Sequence, residues 1–331
     1  ISLLLYSFRM KYRTLGRTGL KISEIGFGAW GIGAAMWKGA KDDESLRALN
    51  TAIDEGVNFL DTALVYGNGH SEKLVGEVLR ARPEQIYVAT KVPPKNRIWP
   101  ARGSLEEVFP SDYIAKCVET SLRNLALERV DLLQLHVWNP EWLGQDEWFE
   151  TLNKLRLQGK LAYFGVSIND HQPDTALELV RSGKIDTVQV IYNIFDQSPE
   201  DQLYAAFLEH NVGVIARVPF DEGSLTGKIT PQTVFPKGDW RNAYFKGDRK
   251  KQVHDRVKAI EPLLGEESKS LPDLALRFCL YPEAVTTVIP GMRSVRHVLA
   301  NSSASDQPRL SSAMIESLRK HRWVRNFYPE V

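Results

Sequence analysis

Residues 58–76, NFLDTALVYGNGHSEKLVG, decide how this chain is read. A short apolar run ends there in Asp61, a phenol follows at Tyr66, and helical spacing begins near Ser71. The pattern returns twice. Residues 86–92, IYVATKV, carry Lys91 at the end of their apolar run, and residues 130–138, VDLLQLHVW, carry His136. Three strand-like runs that each end in an ionisable group, with helix-like stretches between them, predict one face of a parallel α/β barrel. Barrel enzymes keep their chemistry on that face.

Working outward, the same rhythm fills the chain. Residues 44–55 have helical spacing, with Gly56 at a C-cap position. Residues 71–81 and 111–127 read as helices capped by Ser71 and Ser111. Strand-like runs over 161–167, 185–193, 212–218 and 285–291 alternate with helical stretches at 145–159, 173–183 and 199–211. Upstream, YRTLG (12–16) and LKISEIGFG (20–28) flank RTG, a hairpin signal. Apolar strands alternating with helices indicate a parallel sheet covered by helices, and about eight such units argue for closure. The predicted fold is a (β/α)8 barrel with an N-terminal β-hairpin and additional C-terminal helices and loops. It is expected as one domain over residues 10–331. Residues 1–9 are expected to be an upstream extension or cloning-derived sequence, because Met10 reads like a natural start. The longest irregular stretch, 219–250, is expected to be functional.

A competing signal is Gly26, Gly28 and Gly31 in GFGAWG, which match G-x-G-x-x-G. A dinucleotide fold needs a strand before that motif and a helix starting within it. The sequence that follows is glycine-rich and aperiodic until Asp43, so GFGAWG is read as the first barrel loop. Composition is ordinary for a soluble protein: 331 residues, 43% hydrophobic, 25% charged, net charge +1. That balance gives no reason to expect a nucleic acid or a membrane as partner. The two cysteines, Cys117 and Cys279, are too far apart in sequence and too few for a zinc site or a disulfide framework. They are expected as buried thiols in a reducing, cytoplasmic setting.

At this point the motifs resemble those of the aldo-keto reductase family. DTALVYGNGHSEKLVG resembles its signature, with Asp-Thr-Ala, a Tyr five residues after the Asp, and Ser-Glu ahead of Leu-x-Gly. VATKV resembles its lysine strand, DLLQLH its histidine strand and FGVS its fifth strand. VQVIYN, SLTGK and VIPGMRS resemble further landmarks, in order from about Tyr12 to Asn301. The resemblance implies extended binding of NADP(H), with NAD(H) not excluded, and hydride transfer to or from a carbonyl carbon with no metal. It implies Asp61, Tyr66, Lys91 and His136 as the catalytic group.

The chemistry of that group follows from general principles. A reduced carbonyl needs a proton at its oxygen. A phenol has a pKa of ~10, so bringing it into the neutral range takes about 3–4 kcal/mol. One ammonium at about 4 Å supplies ~4 kcal/mol at an effective dielectric near 20. Lys91 is therefore expected to tune Tyr66 downward, Asp61 to hold Lys91, and His136 to orient the carbonyl.

The resemblance further implies that Ser167, Asn169 and Gln189 meet the nicotinamide carboxamide and that Arg217 stacks on the ring, followed by Pro219. It implies that Gly223, Ser224, Leu225 and Lys228 wrap the pyrophosphate, and that Gly291, Arg293 and His297 lie by the 2′-phosphate of NADP, with Arg296 beside them. Asn301 takes the adenine position. Trp30, Trp37 and Trp138 are expected to wall an apolar substrate pocket. The leading expectation is an NADPH-dependent reductase of aldehydes and ketones. The same tetrad would serve a sugar or polyol dehydrogenase working oxidatively. The β subunits of voltage-gated potassium channels, which resemble the family, stand for a third class, a binding subunit. Sequence leaves the substrate, the direction and the oligomeric state open.

Overall fold

The computed structural model describes residues 9–328. It opens with the antiparallel hairpin β1 (Tyr12–Thr14) and β2 (Lys21–Ser23), in register from Tyr12–Ser23 to Thr14–Lys21. Eight strands follow: β3 (Phe27–Gly28), β4 (Phe59–Asp61), β5 (Tyr87–Val92), β6 (Val130–Leu135), β7 (Leu161–Ser167), β8 (Thr187–Ile191), β9 (Gly213–Arg217) and β10 (Thr287–Val288). Each pairs in parallel with the next. Bridges Ile25–Val288 and Gly28–Gly291 join the first strand to the last and close the predicted barrel. Gly28 is where that closure is tightest. A Cβ there would sit 2.6 Å from the Ile289 carbonyl oxygen and 2.9 Å from that of Pro290, closer than any side chain tolerates.

The helices are α1 (Asp42–Asp54), α2 (His70–Ala81), α3 (Leu105–Val108), α4 (Ser111–Leu125), α5 (Glu147–Leu157), α6 (Leu177–Arg181), α7 (Leu203–Glu209), α8 (Arg241–Tyr244), α9 (Arg249–Ile260), α10 (Leu271–Cys279), α11 (Val295–Asp306) and α12 (Ser312–Arg319). Their apolar stripes meet the outward-facing strand residues, among them Leu60, Val88, Leu133, Phe164, Val188 and Val214, in the main hydrophobic core. A smaller cluster of Leu15, Ile22, Phe59, Ala89, Leu132, Ile215 and Ile289 fills the barrel's N-terminal end. The hairpin supplies Leu15 and Ile22, so it plugs that end.

Strand side chains alternate between faces. Above the apolar layer of Phe59, Ala89 and Leu132, the next inward positions are Asp61, Lys91 and Gln134, followed by His136 past the end of β6. The fold therefore stacks a polar layer directly on the apolar plug.

Several expectations need correction. The GFGAWG glycines do not form a barrel loop throughout, because Phe27–Gly28 is the first barrel strand. Two residues are too few for a period to register. Ser71 is not a cap. Gly69, at φ +88°, precedes α2, and Ser71 lies inside it, donating to the Ala29 carbonyl at 2.9 Å and pairing with the Thr62 hydroxyl at 2.8 Å. Ser111 is the first helical residue after Pro110 and accepts from Thr151. The 173–183 and 199–211 stretches begin as 3-10 turns before short α-helices. The irregular 219–250 stretch contains the 3-10 run Asp221–Thr226 and α8. Cys117 and Cys279 are buried, free thiols. No helix among the described residues is long and apolar enough to cross a membrane. The expectation for residues 1–9 lies almost wholly outside the described residues.

Candidate active site

The polar layer brings the four candidate residues together. Lys91, with no exposed surface, donates to Asp61 Oδ1 at 2.6 Å and to the Thr62 carbonyl at 2.8 Å. Its ammonium lies 5.1 Å from the centre of the Tyr66 ring. The His136 ring meets Tyr66 edge-on, with centroids 5.9 Å apart. Tyr66 comes from the turn between β4 and α2, and the backbone there passes close to Gly33, where a Cβ would meet the Tyr66 backbone at 2.9 Å.

Asp61 has a second set of partners. Its Oδ2 accepts from Gln189 at 2.7 Å and from Gln134 at 3.5 Å. Sequence reasoning placed Gln189 on the nicotinamide and overlooked Gln134. Both are buried within the barrel, and Ser167 donates to Gln189 Oε1 at 3.4 Å. The signal for Gln134 was available: a lone polar residue at an inward position of an apolar strand.

The electrostatics correct one expectation. The Tyr66 phenol is held above its ordinary value, not below it. Burial against its neighbours outweighs the lowering pull of Lys91, and Asp61 adds to the rise. Lys91 pulls the phenol down more than any other neighbour, but Asp61 at contact distance offsets part of that pull and the cost of burial exceeds it. His136 is held well below the usual imidazole range, first by burial and then by the like charges of Lys91, Arg217 and Arg97. It is neutral at neutral pH, and its buried Nδ1 has no hydrogen-bond partner.

The other candidates divide. Asn169 is committed to neighbouring loops, donating to the Trp138 carbonyl at 2.9 Å and to Gln172 at 3.0 Å and accepting from Ala101 N at 3.2 Å. Arg217 ends β9 and pairs with Asp170 at 2.7 Å, also donating to the Ile168 carbonyl at 3.0 Å. Asp170 was not found from sequence, because nothing local marks it. Pro219 is buried, and Gly223, Ser224 and Leu225 lie in the 3-10 run after it, with Lys228 exposed at its end. The Ser224 hydroxyl is buried without a partner.

A cavity at the start of α11 is lined by Glu44, Arg47, Arg293, Arg296 and His297. Burial and the charge of Arg241 lower Arg293, while burial and the charges of Arg296, Arg293 and Lys228 lower His297. Crowded cations, outnumbering the nearby acids Glu44 and Asp239, beside a helix N-terminus capped by Ser294, suit a multiply charged phosphate. The residues present thus fit the phosphorylated end of a dinucleotide. Gly291 borders this region with open space above it, and Asn301 is buried in α11.

Of the tryptophans, Trp30 lies over the site, 6.3 Å from the Tyr66 ring. Trp37 touches Trp30 edge-on but is clamped by Arg241 at 4.1 Å and Arg293 at 5.3 Å. Trp138 is not a pocket wall. It is fully buried and packs edge-on against Trp142 and Trp148, because the chain bends at His136–Val137 and the strand alternation ends there. Trp99, which sequence reasoning missed, stands edge-on to His136 at 6.1 Å.

The model of the aldo/keto reductase family matches residues 24–322. The chain belongs to the aldo/keto reductase family. It is similar to the uncharacterised oxidoreductase YqkF of Bacillus subtilis strain 168, with 31% identity over 94% of this chain and 96% of that protein. It is 29% identical to the NADH-specific methylglyoxal reductase of Escherichia coli K12, over 89% of this chain and 93% of the relative. The solved structure of glycerol dehydrogenase AKR11B4 from Gluconobacter oxydans is 29% identical, with a TM-score of 0.76 and coverage of 96% and 95%. This aldo/keto reductase is an oxidoreductase that uses a nicotinamide cofactor.

Proposed function

We propose that the protein reduces aldehydes or ketones to alcohols with NADPH, and that Tyr66 donates the proton. The observation that carries this reading is the Asp61–Lys91 pair set beneath a phenol whose pKa is raised. A phenol is protonated at neutral pH at its ordinary value of ~10 and remains so when raised, and that is the form that can give a proton to a reduced carbonyl.

When bound, a dihydronicotinamide supplies the hydride. Tyr66 delivers its proton to the carbonyl oxygen as negative charge builds there. Lys91 then faces the phenolate and stabilises it, while Asp61, fixed by Gln189 and Gln134, holds Lys91 in place. Neutral His136 donates an N–H to the carbonyl oxygen and sets its direction. Trp30 and Trp99 flank the reacting groups and exclude water.

The E. coli relative's name supports carbonyl reduction, although it specifies NADH. The cations at the start of α11 favour the extra phosphate of NADPH for this chain. A panel of aldehydes, dicarbonyls and sugars incubated with NADPH and with NADH tests both parts. The expected result is turnover with NADPH preferred, and an Arg293→Ala change that narrows the preference about 10-fold or more. Equal use of both cofactors by the unaltered protein, or oxidation of sugars without carbonyl reduction, would overturn the reading.

A further inference from the structure

The loop after β9 carries a backbone that its own sequence does not favour. Val218, Asp221 and Glu222 have φ of +56°, +48° and +56°, and Gly223 follows at +100°. Non-glycine residues in that region cost on the order of 1 kcal/mol or more each, and they persist where surrounding contacts over-determine them. Asn193 holds the Val218 carbonyl at 2.9 Å, and Asp221 and Glu222 are held from the far end of the chain.

The Arg325 guanidinium pairs with Asp221 inside the protein, with both side chains nearly inaccessible. Tyr244 donates to the same Asp221 oxygen at 3.4 Å. The Tyr328 hydroxyl donates to Glu222 Oε1 at 2.6 Å. The tail that delivers them is itself anchored: Trp323 N donates to the Phe195 carbonyl at 2.8 Å, and Arg249 donates to the Phe327 carbonyl at 2.8 Å. Arg325 is sandwiched by Trp323 at 4.5 Å and Phe327 at 5.1 Å. The Tyr328 ring stacks on Trp240 at 5.6 Å, Trp240 meets Trp30 at 5.4 Å, and Trp30 meets Tyr66.

We propose that Arg325 and Tyr328 are positioning residues for the cofactor: a two-point latch, Arg325 on Asp221 and Tyr328 on Glu222, holds the loop 218–227 in the form that receives the dinucleotide. This rests on the reading of Gly223, Ser224 and Leu225 as the pyrophosphate-binding segment. The logic is geometric. Asp221 and Glu222 immediately precede Gly223 and the buried, partnerless Ser224 hydroxyl. Fixing both acids fixes the direction of the amides that follow. Charge points the same way, because an unlatched loop would leave two carboxylates free to turn toward a phosphate and repel it. The ring series Tyr328–Trp240–Trp30 also makes the tail a continuous wall between the loop and the reacting groups.

The test uses the full chain and two variants. Tyr328→Phe keeps the ring on Trp240 and removes only the hydroxyl; Asp221→Asn keeps the shape and removes the ion pair. Hydrogen exchange of residues 223–227 is measured without cofactor, and NADPH affinity by fluorescence titration. The expected result is faster exchange in that segment and about 3- to 10-fold weaker NADPH binding in each variant, with exchange in β5 and β6 unchanged. Unaltered exchange in the loop would overturn the latch. Faster exchange with unaltered NADPH affinity would overturn its role in cofactor binding. Failure of the unsubstituted protein to bind NADPH or NADH would overturn the reading of the loop itself, and is distinguished by needing no variant.

Discussion

At the scale of the residue, the site is governed by how buried charges are matched. Lys91 and Asp61 are both removed from water and neutralise one another. Deleting one partner of such a pair leaves an uncompensated buried charge, which typically costs about 3–5 kcal/mol. Lys91→Met is therefore expected to destabilise the fold by roughly that amount, and the double change Lys91→Met with Asp61→Leu to recover much of the loss. Urea denaturation of the three variants checks this; equal losses in single and double variants would contradict it. Glu222 gives a pH-dependent counterpart. Burial pushes its carboxyl up to about 8, the Tyr328 hydrogen bond opposes the rise, and the charges of Asp221 and Asp170 reinforce it. The protonated form is favoured in the folded state, so this group's contribution is full below the ordinary carboxylate range and is lost as pH rises through about 8. The thermal midpoint is expected to fall between pH 5 and pH 8, and Glu222→Gln, which mimics the protonated acid, to flatten that fall. A slope unchanged by the substitution would contradict the assignment. The contrast between these two sites explains what sequence reveals. Asp61, Lys91 and His136 were legible because each ends an apolar strand, a local pattern. Glu222 was not, because its partner Tyr328 lies 106 residues away and nothing around residue 222 announces a buried acid. Tyr66 was legible as a group but not in its electrostatics, since the direction of its pKa depends on the full surroundings.

At the scale of the element, the longer apolar strands were legible, while the two-residue β3 and the starts of helices were not. The apolar runs at 57–61, 86–92 and 130–136 became β4, β5 and β6 because fully buried parallel strands need apolar residues on both faces. The cap readings at Ser71 and Ser111 failed for a shared reason. A serine hydroxyl near a helix start can serve the helix or a neighbouring element, and tertiary contacts decide. Ser71 ties α2 to the ends of β3 and β4, and Ser111 meets α5. Trp138 was misread similarly, because the chain past β6 turns it outward into the Trp142–Trp148 cluster. β3 carries the clearest element-level prediction. Gly28→Ala puts a methyl group against the Ile289 and Pro290 carbonyls where the barrel closes. The variant is expected to lose about 2 kcal/mol or more, read as a shift in the urea midpoint. Wild-type stability would show that the closing bridge is not tight.

At the scale of the whole molecule, two ends of the chain close two ends of the barrel. The N-terminal hairpin fills the N-terminal mouth with Leu15 and Ile22, and the tail to Tyr328 lies across the loops at the other, where the candidate catalytic residues converge. Alternation along the strands then places polar residues one layer above an apolar plug, which keeps the Asp61–Lys91 pair dry and its field strong. In the proposed reaction this arrangement serves proton donation by Tyr66. The measurement that tests it most directly is single-turnover NADPH oxidation by the Tyr66→Phe variant with an aldehyde that the unsubstituted protein reduces, alongside NADPH titration of both proteins. The expected result is a hydride-transfer rate lower by about 10²- to 10⁴-fold with NADPH affinity changed little. A rate within a few-fold of the unsubstituted protein would contradict it, because another group would then be supplying the proton.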